Sequence, residues 1–231
     1  MPEASRMSDR LMDVYDRLYV AYGPQHWWPG DGPFEVVAGA ILTQSVAWAN
    51  VEISLAKMRA AGCWSFNAVH QIAEPELAKL VRSSGYFNAK ARKLKAFAAH
   101  VTVKYKGGLD VLFAQPTQLL REELLSIYGI GEETADDIIV YGAGKPSFVI
   151  DSYTRRIMDR LDMSPDAERP KYSDYQALFH KHIPADITLY SEFHALWDHH
   201  AKMVCFKTAP SCDACCLLDI CLTGKKLILN G

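Results

Sequence analysis

The chain has 231 residues, of which 49% are hydrophobic, and a formal net charge of −2. This length suffices for one large domain or for two small ones with a proper core. The near-neutral charge excludes a protein that is basic throughout, so any contact with nucleic acid must use a local basic surface and depend on salt.

No stretch of the sequence approaches the roughly 20 apolar residues that a membrane span requires. The first ten residues, MPEASRMSDR, lack an apolar signal segment. We therefore expect a cytoplasmic protein with reduced thiols and no membrane partner.

Apolar residues recur at helical spacing along the whole chain, and no β alternation or internal repeat stands out, which predicts an all-α fold. Glycine and proline mark most of the helix ends, and Ser173 is predicted to be the N-cap of a helix. The predicted helices cover 8–22, 33–44, 48–61, 65–73, 75–84, 89–105, 109–113, 117–128, a segment from Glu132, 152–161, 174–183 and 187–204.

Two of these helices meet at a tight turn, Gly129-Ile130-Gly131. Glycine at two positions of such a turn permits positive φ and the close approach of a ligand backbone. The helix that follows begins with N–H groups and the positive end of its dipole, which is a natural seat for phosphate. Downstream, a Gly/Pro break and a short apolar run at 148–150 lead to Asp151.

Five of the six cysteines lie between positions 205 and 221. In a reducing compartment such a group indicates a metal site rather than disulfides. Four of the five have the spacing C-x6-C-x2-C-x5-C, which suits either Zn²⁺ or a [4Fe–4S] cluster. The four are Cys205, Cys212, Cys215 and Cys221. Cys63 follows a helix end and is predicted to be a core thiol.

The sequence Gly-Ile-Gly-x-x-Thr-Ala, followed by an Asp after an apolar run, resembles the helix-hairpin-helix and catalytic Asp of the endonuclease III superfamily of DNA glycosylases. The cysteine spacing resembles the iron–sulfur loop of that superfamily. The resemblance implies a [4Fe–4S] cluster held by the four spaced cysteines, with Cys216 outside the ligand set. It also implies that the protein binds double-stranded DNA containing a damaged base. A monomer is the default expectation, because the sequence does not fix the oligomeric state.

Two helical lobes are implied by the same resemblance. The first covers about 30–140 and contains the helix-hairpin-helix at about 124–144. The second joins 1–29 to 141–231 and contains the cluster loop at 205–221.

Glycosidic cleavage develops positive charge on the sugar, and the resemblance assigns its stabilisation to the carboxylate of Asp151. Bifunctional members have a lysine immediately before the Thr-Ala, whose amine forms a Schiff base with the sugar. This sequence has Glu133 there instead. Because a carboxylate cannot form a Schiff base, we expect a monofunctional glycosylase that uses water. The alternative for Glu133 is a solvated acid at a helix N-terminus.

The segment Trp27-Trp28-Pro29, together with Trp48 and Glu133, resembles the 3-methyladenine glycosylase branch, whose aromatic residues form a sandwich for the flipped base. Facing rings attract cationic alkylated purines through stacking and cation–π contacts. Lys202 is expected either in the same pocket or on a solvated helix face. The structural alternative is that these tryptophans only pack in the core.

Further DNA contacts follow from the resemblance. Gln44 matches the polar residue that fills the gap left by the flipped base, although it could equally cap its helix. Tyr86, Asn88 and Lys90 match a turn that wedges the opposite strand, although a basic run such as 90–95 is usually a solvated face. The predicted contacts of the hairpin come from Gly129, Gly131 and Thr134.

Three alternatives remain open at this point. One is an endonuclease III-type glycosylase and AP lyase for oxidised pyrimidines, and another is a mismatch-directed thymine or adenine glycosylase. The third, from another class, is a non-catalytic DNA-binding iron–sulfur protein.

Overall fold

The computed structural model of the chain describes residues 3–28 and 30–229. Pro29, predicted for the base pocket, lies outside these residues. The described part consists of helices and loops without β-strands, which confirms the predicted all-α class. Among its helices, none has the length and apolar character to span a membrane.

The α-helices over the described residues are α1 (Glu3–Tyr22), α2 (Pro33–Leu42), α3 (Trp48–Ala60), α4 (Phe66–Gln71), α5 (Glu74–Leu80), α6 (Phe87–Tyr105), α7 (Asp110–Ala114), α8 (Thr117–Ser126), α9 (Glu132–Asp137), α10 (Ser152–Arg160), α11 (Tyr172–His182), α12 (Ile187–Met203) and α13 (Leu222–Leu229). Short 3₁₀ turns occur at Arg82–Ser84 and Cys212–Ala214, and α9 continues into a π-helical turn at Ile138–Gly142. Such π turns are rare in proteins, and those that occur often lie at functional sites.

Two details of the helix prediction were wrong. Ser173 is not an N-cap, because α11 already begins at Tyr172 with Lys171 as its capping residue. The side chain of Asp174 accepts the backbone N–H of Lys171 at 2.7 Å and so stabilises this earlier start. Helix α13 was not predicted, since its eight residues include Gly224 and are too few for a clear period.

The chain divides into two compact units, Met1–Trp27 with Pro146–Gly231 and Trp28–Lys145. We call the first the terminal unit and the second the middle unit. In the middle unit, residues 36–42 of α2 are all buried, so this helix forms the centre of the core. Helix α6 packs against α2, α4 and α5.

In the terminal unit, α12 packs against α1 and α10. Its core is aromatic: the rings of Phe148 and Phe179 stack with centroids 3.7 Å apart, and Phe193 and Trp197 meet Phe179 edge to face. These four side chains are fully buried. Truncating a buried ring of this kind to alanine typically costs about 3–5 kcal/mol.

Candidate functional site

The helix-hairpin-helix is formed by α8, a turn and α9. Gly129 in the turn has φ 86°, and a Cβ at this position would lie 2.2 Å from Cγ of Lys93, so both conformation and space require glycine. Gly131 is different, because its backbone is extended (φ −94°) and any residue adopts that conformation. Positive φ, which glycine permits at both positions, therefore occurs at Gly129 and not at Gly131.

A buried ion pair holds the two helices of the hairpin together. The guanidinium of Arg121 on α8 donates to both carboxylate oxygens of Asp136 on α9, each at 3.0 Å. Asp136 is fully buried. A bidentate pair of this geometry fixes both distance and orientation, so the turn between the helices is held in one shape.

Gln44 lies against this hairpin. Its side-chain amide donates to the hydroxyl of Thr134 at 2.9 Å and to the carbonyl of Gly129 at 3.2 Å. Its amide oxygen accepts from the ammonium of Lys93. The structure thus brings together three residues that were predicted to contact DNA, Gln44, Gly129 and Thr134, and adds Lys93, which the sequence reasoning missed.

Glu133 lies in the first turn of α9 and is exposed to solvent. Glu132 is beside it, so two acidic residues follow the N-terminal end of this helix. Carboxylates are favoured there by the helix dipole, by about 0.3–1 kcal/mol each. The position thus presents an acid, and no amine, at the surface of the hairpin helix.

The second predicted DNA segment lies at the start of α6. Tyr86 is 77% exposed and has a left-handed backbone (φ 44°), and Asn88 is also exposed. Lys90 is not part of this surface, because its side chain is only 2% exposed. Its ammonium donates to the backbone carbonyls of Leu42 and Ser84. The prediction that Lys90 contacts DNA directly was therefore wrong.

Three aromatic residues of the middle unit, Trp28, Trp48 and Tyr141, form one group. The ring centroids of Trp28 and Trp48 are 5.1 Å apart at 85°, and Tyr141 lies 5.2 Å from Trp28. Both indoles pack on the backbone of Gly39, where a Cβ would lie about 3 Å from each ring. A base between two rings needs parallel planes about 7 Å apart. A purine can therefore stack on an outer face of this pair but not between its members as they stand.

Two further residues predicted for the base pocket belong to the terminal unit. Trp27 is half-buried. The ammonium of Lys202 pairs with Asp198 at 2.7 Å and lies 5.7 Å from the ring centroid of Tyr153. Lys202 thus already has a carboxylate partner on its own helix.

Asp151 is held at the N-terminus of α10. Its Oδ1 accepts the backbone N–H of Thr154 at 2.7 Å, which makes it the N-cap of this helix. Its Oδ2 faces Nε2 of the buried His194 at 4.0 Å. One oxygen is thus anchored by the helix, while the other is oriented toward a partner that can carry charge.

The extended residues 148–150 that lead to Asp151 are supported by side chains of α11. Gln176 donates to the carbonyl of Phe148 at 2.8 Å, His180 accepts the N–H of Phe148 at 3.0 Å, and Tyr172 accepts the N–H of Ile150 at 3.2 Å. The three side chains replace the partner strand that an extended segment normally needs. Their spacing of four residues along one helix face was a signal in the sequence that we did not use.

The four spaced cysteines line one cavity in the terminal unit. Its other walls come mainly from apolar side chains such as Ile157, Leu161 and Leu217, and Cys216 lies outside the lining. Within the described part of the chain, no three Cys, His, Asp or Glu side chains form a group that could hold a metal ion. The thiols are distributed around the cavity wall instead. Four thiolates that line one cavity can hold either a [4Fe–4S] cluster or a zinc ion.

Several N–H groups point at these sulfurs. Arg160 donates to Cys205 at 3.0 Å, and backbone N–H groups donate to Cys215 at 3.4 Å and to Cys221 at 3.3 Å. Donors of this kind stabilise thiolate ligands. The donor set therefore suits a thiolate-bound metal group. Burial raises the pKa of the Cys215 thiol to about 11.

His200 adds a further contact to the same cavity. Its Nε2 lies 3.7 Å from the sulfur of Cys215, and its Nδ1 lies 2.7 Å from the hydroxyl of Tyr22. Burial lowers the pKa of His200 to about 4, so the ring is neutral. If Cys215 is a thiolate, which only accepts, Nε2 must carry the proton and Tyr22 must donate to Nδ1.

An all-α chain with a helix-hairpin-helix, a capping Asp after an extended segment and a loop of four cysteines defines a class, that of the endonuclease III-like DNA glycosylases. Comparison with known proteins supports this class. Residues 38–184 match the family described as HhH-GPD superfamily base excision DNA repair protein.

A relative from Methanocaldococcus jannaschii, named "Putative DNA repair glycosylase MJ1434", is 37% identical over 216 residues, 93% of this chain and 97% of its own. A solved structure of a Helicobacter pylori (H.pylori) 3-methyladenine DNA glycosylase, MagIII, bound to 1,N6-ethenoadenine is 26% identical, with a TM-score of 0.70 over 86% of this chain and 97% of that one. A trapped endonuclease III–DNA covalent intermediate has a TM-score of 0.82 at 22% identity, over 96% of this chain and 98% of that one, which shows a common fold.

The chain therefore belongs to the HhH-GPD superfamily of base excision DNA repair proteins. It is a DNA glycosylase, a hydrolase of the N-glycosidic bond.

Proposed function

We propose that this protein is a monofunctional DNA glycosylase that removes alkylated purines, such as 3-methyladenine, from double-stranded DNA. The observation that carries the proposal is Glu133, an exposed carboxylate on the hairpin helix where a bifunctional enzyme would need an amine. A carboxylate cannot form the Schiff base on which strand cleavage depends. The sugar must then be attacked by water.

Asp151 supplies the electrostatic part of this reaction. As the bond from C1′ to the base nitrogen breaks, its electron pair leaves with the base and positive charge develops on the sugar ring. A carboxylate that is already fixed by the N–H of Thr154 stabilises this charge without reorganising. Water then forms a bond to C1′ and loses a proton, for which the carboxylate of Asp151 is the candidate acceptor.

The preference for alkylated purines rests on the aromatic group of the middle unit. The rings of Trp28, Trp48 and Tyr141 offer stacking surface for an electron-poor, cationic base, with an attraction of about 1–2 kcal/mol when the contact is desolvated. The base leaves readily because alkylation already weakens its glycosidic bond, so no strong acid is needed. The likeness to a 3-methyladenine glycosylase supports the same substrate class.

We also propose a [4Fe–4S] cluster on Cys205, Cys212, Cys215 and Cys221. The N–H donors aimed at three of these sulfurs and their distribution around one cavity support it. The cluster would tie together the loop after α12, which is too short for a core of its own. Tyr22 and His200 would orient one ligand.

A second candidate substrate class is oxidised pyrimidines. It is favoured by a relative from Sulfolobus acidocaldarius, named endonuclease III, which is 31% identical over 141 residues, 61% of this chain and 59% of its own. That likeness covers less of this chain than the relative from Methanocaldococcus jannaschii does.

Chromatography of the released base separates these candidates. Two duplexes are incubated with the protein, one methylated and one containing thymine glycol. We expect free 3-methyladenine from the first and little release from the second. Release of thymine glycol alone would contradict the alkylpurine assignment, and no release from either duplex, with binding retained, would favour a non-catalytic DNA-binding protein.

A further inference from the structure

A buried ammonium lies at the start of α6. The side chain of Lys90 is 2% exposed, and its Nζ donates to the carbonyl of Leu42 at 2.7 Å and to the carbonyl of Ser84. Burying a cation requires that hydrogen bonds replace its hydration. The glycosylase chemistry described above does not use this group, so its location needs another explanation.

The two carbonyls lie at the roots of two loops. Leu42 is the last residue of α2, and the loop that follows contains Gln44 and Ser45. Ser84 ends a 3₁₀ turn, and the loop that follows contains Tyr86. One ammonium thus fixes the starting points of both loops, although they are about 40 residues apart in the sequence.

Both loops contain a residue in the left-handed region. Ser45 has φ 57° and Tyr86 has φ 44°, and neither is glycine. Such conformations persist only where the surrounding structure over-determines them, and they cluster at functional sites. The hydrogen bonds of Lys90 are part of what holds the two loops in shape.

The side chains on the two loops suit contact with a duplex from which a base has been extruded. The ring of Tyr86 is 77% exposed, and exposed aromatic rings stack on bases. The side chain of Gln44 is an amide, which can donate to and accept from a base edge. It is held on the hairpin by Lys93, Thr134 and Gly129.

We propose, on the basis of the glycosylase function proposed above, that Lys90 is a positioning residue that couples the loops of Gln44 and Tyr86, so that both enter the duplex together when the damaged base leaves it. Lys90 does not touch the DNA. It sets the geometry of Gln44 and Tyr86, which do touch the DNA. Either loop alone would stabilise the opened duplex less well than both together.

Helix α6 offers a matched control. Lys95, on the same helix, donates from its Nζ to the carbonyls of His70 and Ile72. Lys95 therefore also bridges two carbonyls, but it is only half-buried and it holds the C-terminal end of α4. Lys90→Met and Lys95→Met each remove one ammonium that bridges two carbonyls, and only Lys90→Met releases the two loops.

The experiment measures single-turnover base release from two methylated duplexes. In one the damaged base is paired, and in the other it lies in a short mismatched bubble, so that it is already unstacked. Single-turnover rates do not depend on the active fraction of a variant. A merely structural role would lower both rates by the same factor, whereas a positioning role lowers the rate on the paired duplex more.

We expect Lys90→Met to lose about ten- to a hundredfold on the paired duplex and much less on the bubble, while Lys95→Met keeps the wild-type ratio of the two rates. Two results would overturn the coupling role and leave the proposed glycosylase function intact. One is an equal loss of rate in Lys90→Met on both duplexes, and the other is the same change in the ratio of the two rates in Lys95→Met. If the wild type releases no base from either duplex, the proposed function fails, and the coupling role fails with it.

A second measurement does not require that Lys90→Met folds. Gln44→Ala, Tyr86→Ala and the double variant are compared in the wild-type background on the paired duplex. Coupled loops predict a double variant that is little slower than the slower single variant. Losses that multiply would show that the loops act independently and would overturn the coupling role.

Discussion

The side-chain amide of Gln176 donates to the backbone carbonyl of Phe148 at 2.8 Å, three residues before Asp151. The extended segment at 148–150 is buried, and three of its backbone polar groups bond to side chains of one helix rather than to a strand. The position of the proposed catalytic carboxylate therefore depends on α11.

Gln176→Leu tests this dependence. The substitution leaves a buried carbonyl without its donor, which costs about 1–3 kcal/mol in the free energy of unfolding, and it loosens the segment that holds Asp151. We expect a lower kcat with a smaller change in KM. Gln118→Leu on the exposed face of α8 is the control and should change stability by less than about 0.5 kcal/mol. Equal kcat in both variants would show that α11 does not position Asp151.

Asp151 combines two roles that two substitutions separate. Asparagine is a good N-cap, so Asp151→Asn should keep the hydrogen bond to Thr154 and the stability of α10 while losing the charge. We expect base release to fall by about 10²–10³-fold at an unchanged melting temperature. Asp151→Ala should lose the cap as well, at about 1 kcal/mol. Substantial base release by Asp151→Asn would show that the reaction does not need the charge of this carboxylate.

The proposed cluster ligands predict the iron and sulfide content of two cysteine variants. Cys212→Ser removes a proposed ligand, whereas Cys216→Ser removes the neighbouring thiol that lies outside the cavity. We expect iron and acid-labile sulfide in equimolar amounts in the wild type and in Cys216→Ser, and a large loss of both in Cys212→Ser. Zinc without sulfide in the wild type would contradict the cluster, and loss of iron in Cys216→Ser would contradict the ligand assignment.

Lys90 makes the stability of the fold depend on pH. Burial lowers the pKa of Lys90 from its ordinary 10.5 to about 8. Between these values the unfolded chain holds a proton that the folded chain lacks, so the unfolded state binds more protons and the free energy of unfolding rises with pH. Denaturant unfolding between pH 8 and pH 10.5 should therefore show that the free energy of unfolding of the wild type, relative to that of Lys90→Met, rises with pH. Parallel stability curves for the two proteins would show that burial does not lower the pKa of Lys90.

The sequence predicted the helices well, because their apolar faces recur at a clear period and glycine or proline ends most of them. The four spaced cysteines, which the sequence predicted to serve one site, line one cavity. The contact of Gln44 with the hairpin was not predicted. Lys90 was misjudged, because a basic run at a helix start looks like a solvated face and only the tertiary fold shows which lysine points inward.

Other features depend on orientations that a linear pattern does not contain. Trp28 and Trp48 were expected to enclose the flipped base between their rings, but the two rings meet edge to face and pack against Gly39. The proximity of His194 to Asp151 joins residues more than 40 positions apart, on different helices. The support of residues 148–150 by α11 could have been suspected from the spacing of its polar residues, but only the fold shows that this face meets the extended segment.

The central claim is that water, and not an amine of the protein, attacks the sugar. It is tested by measuring base release and strand cleavage in the same reaction on a methylated duplex, with borohydride present in a parallel sample. The wild type should release the base, cleave the strand only after alkali and form no borohydride-trapped adduct, whereas Glu133→Lys, which supplies an amine on the hairpin helix, should form one. Strand cleavage by the wild type without alkali, together with a trapped wild-type adduct, would contradict the claim.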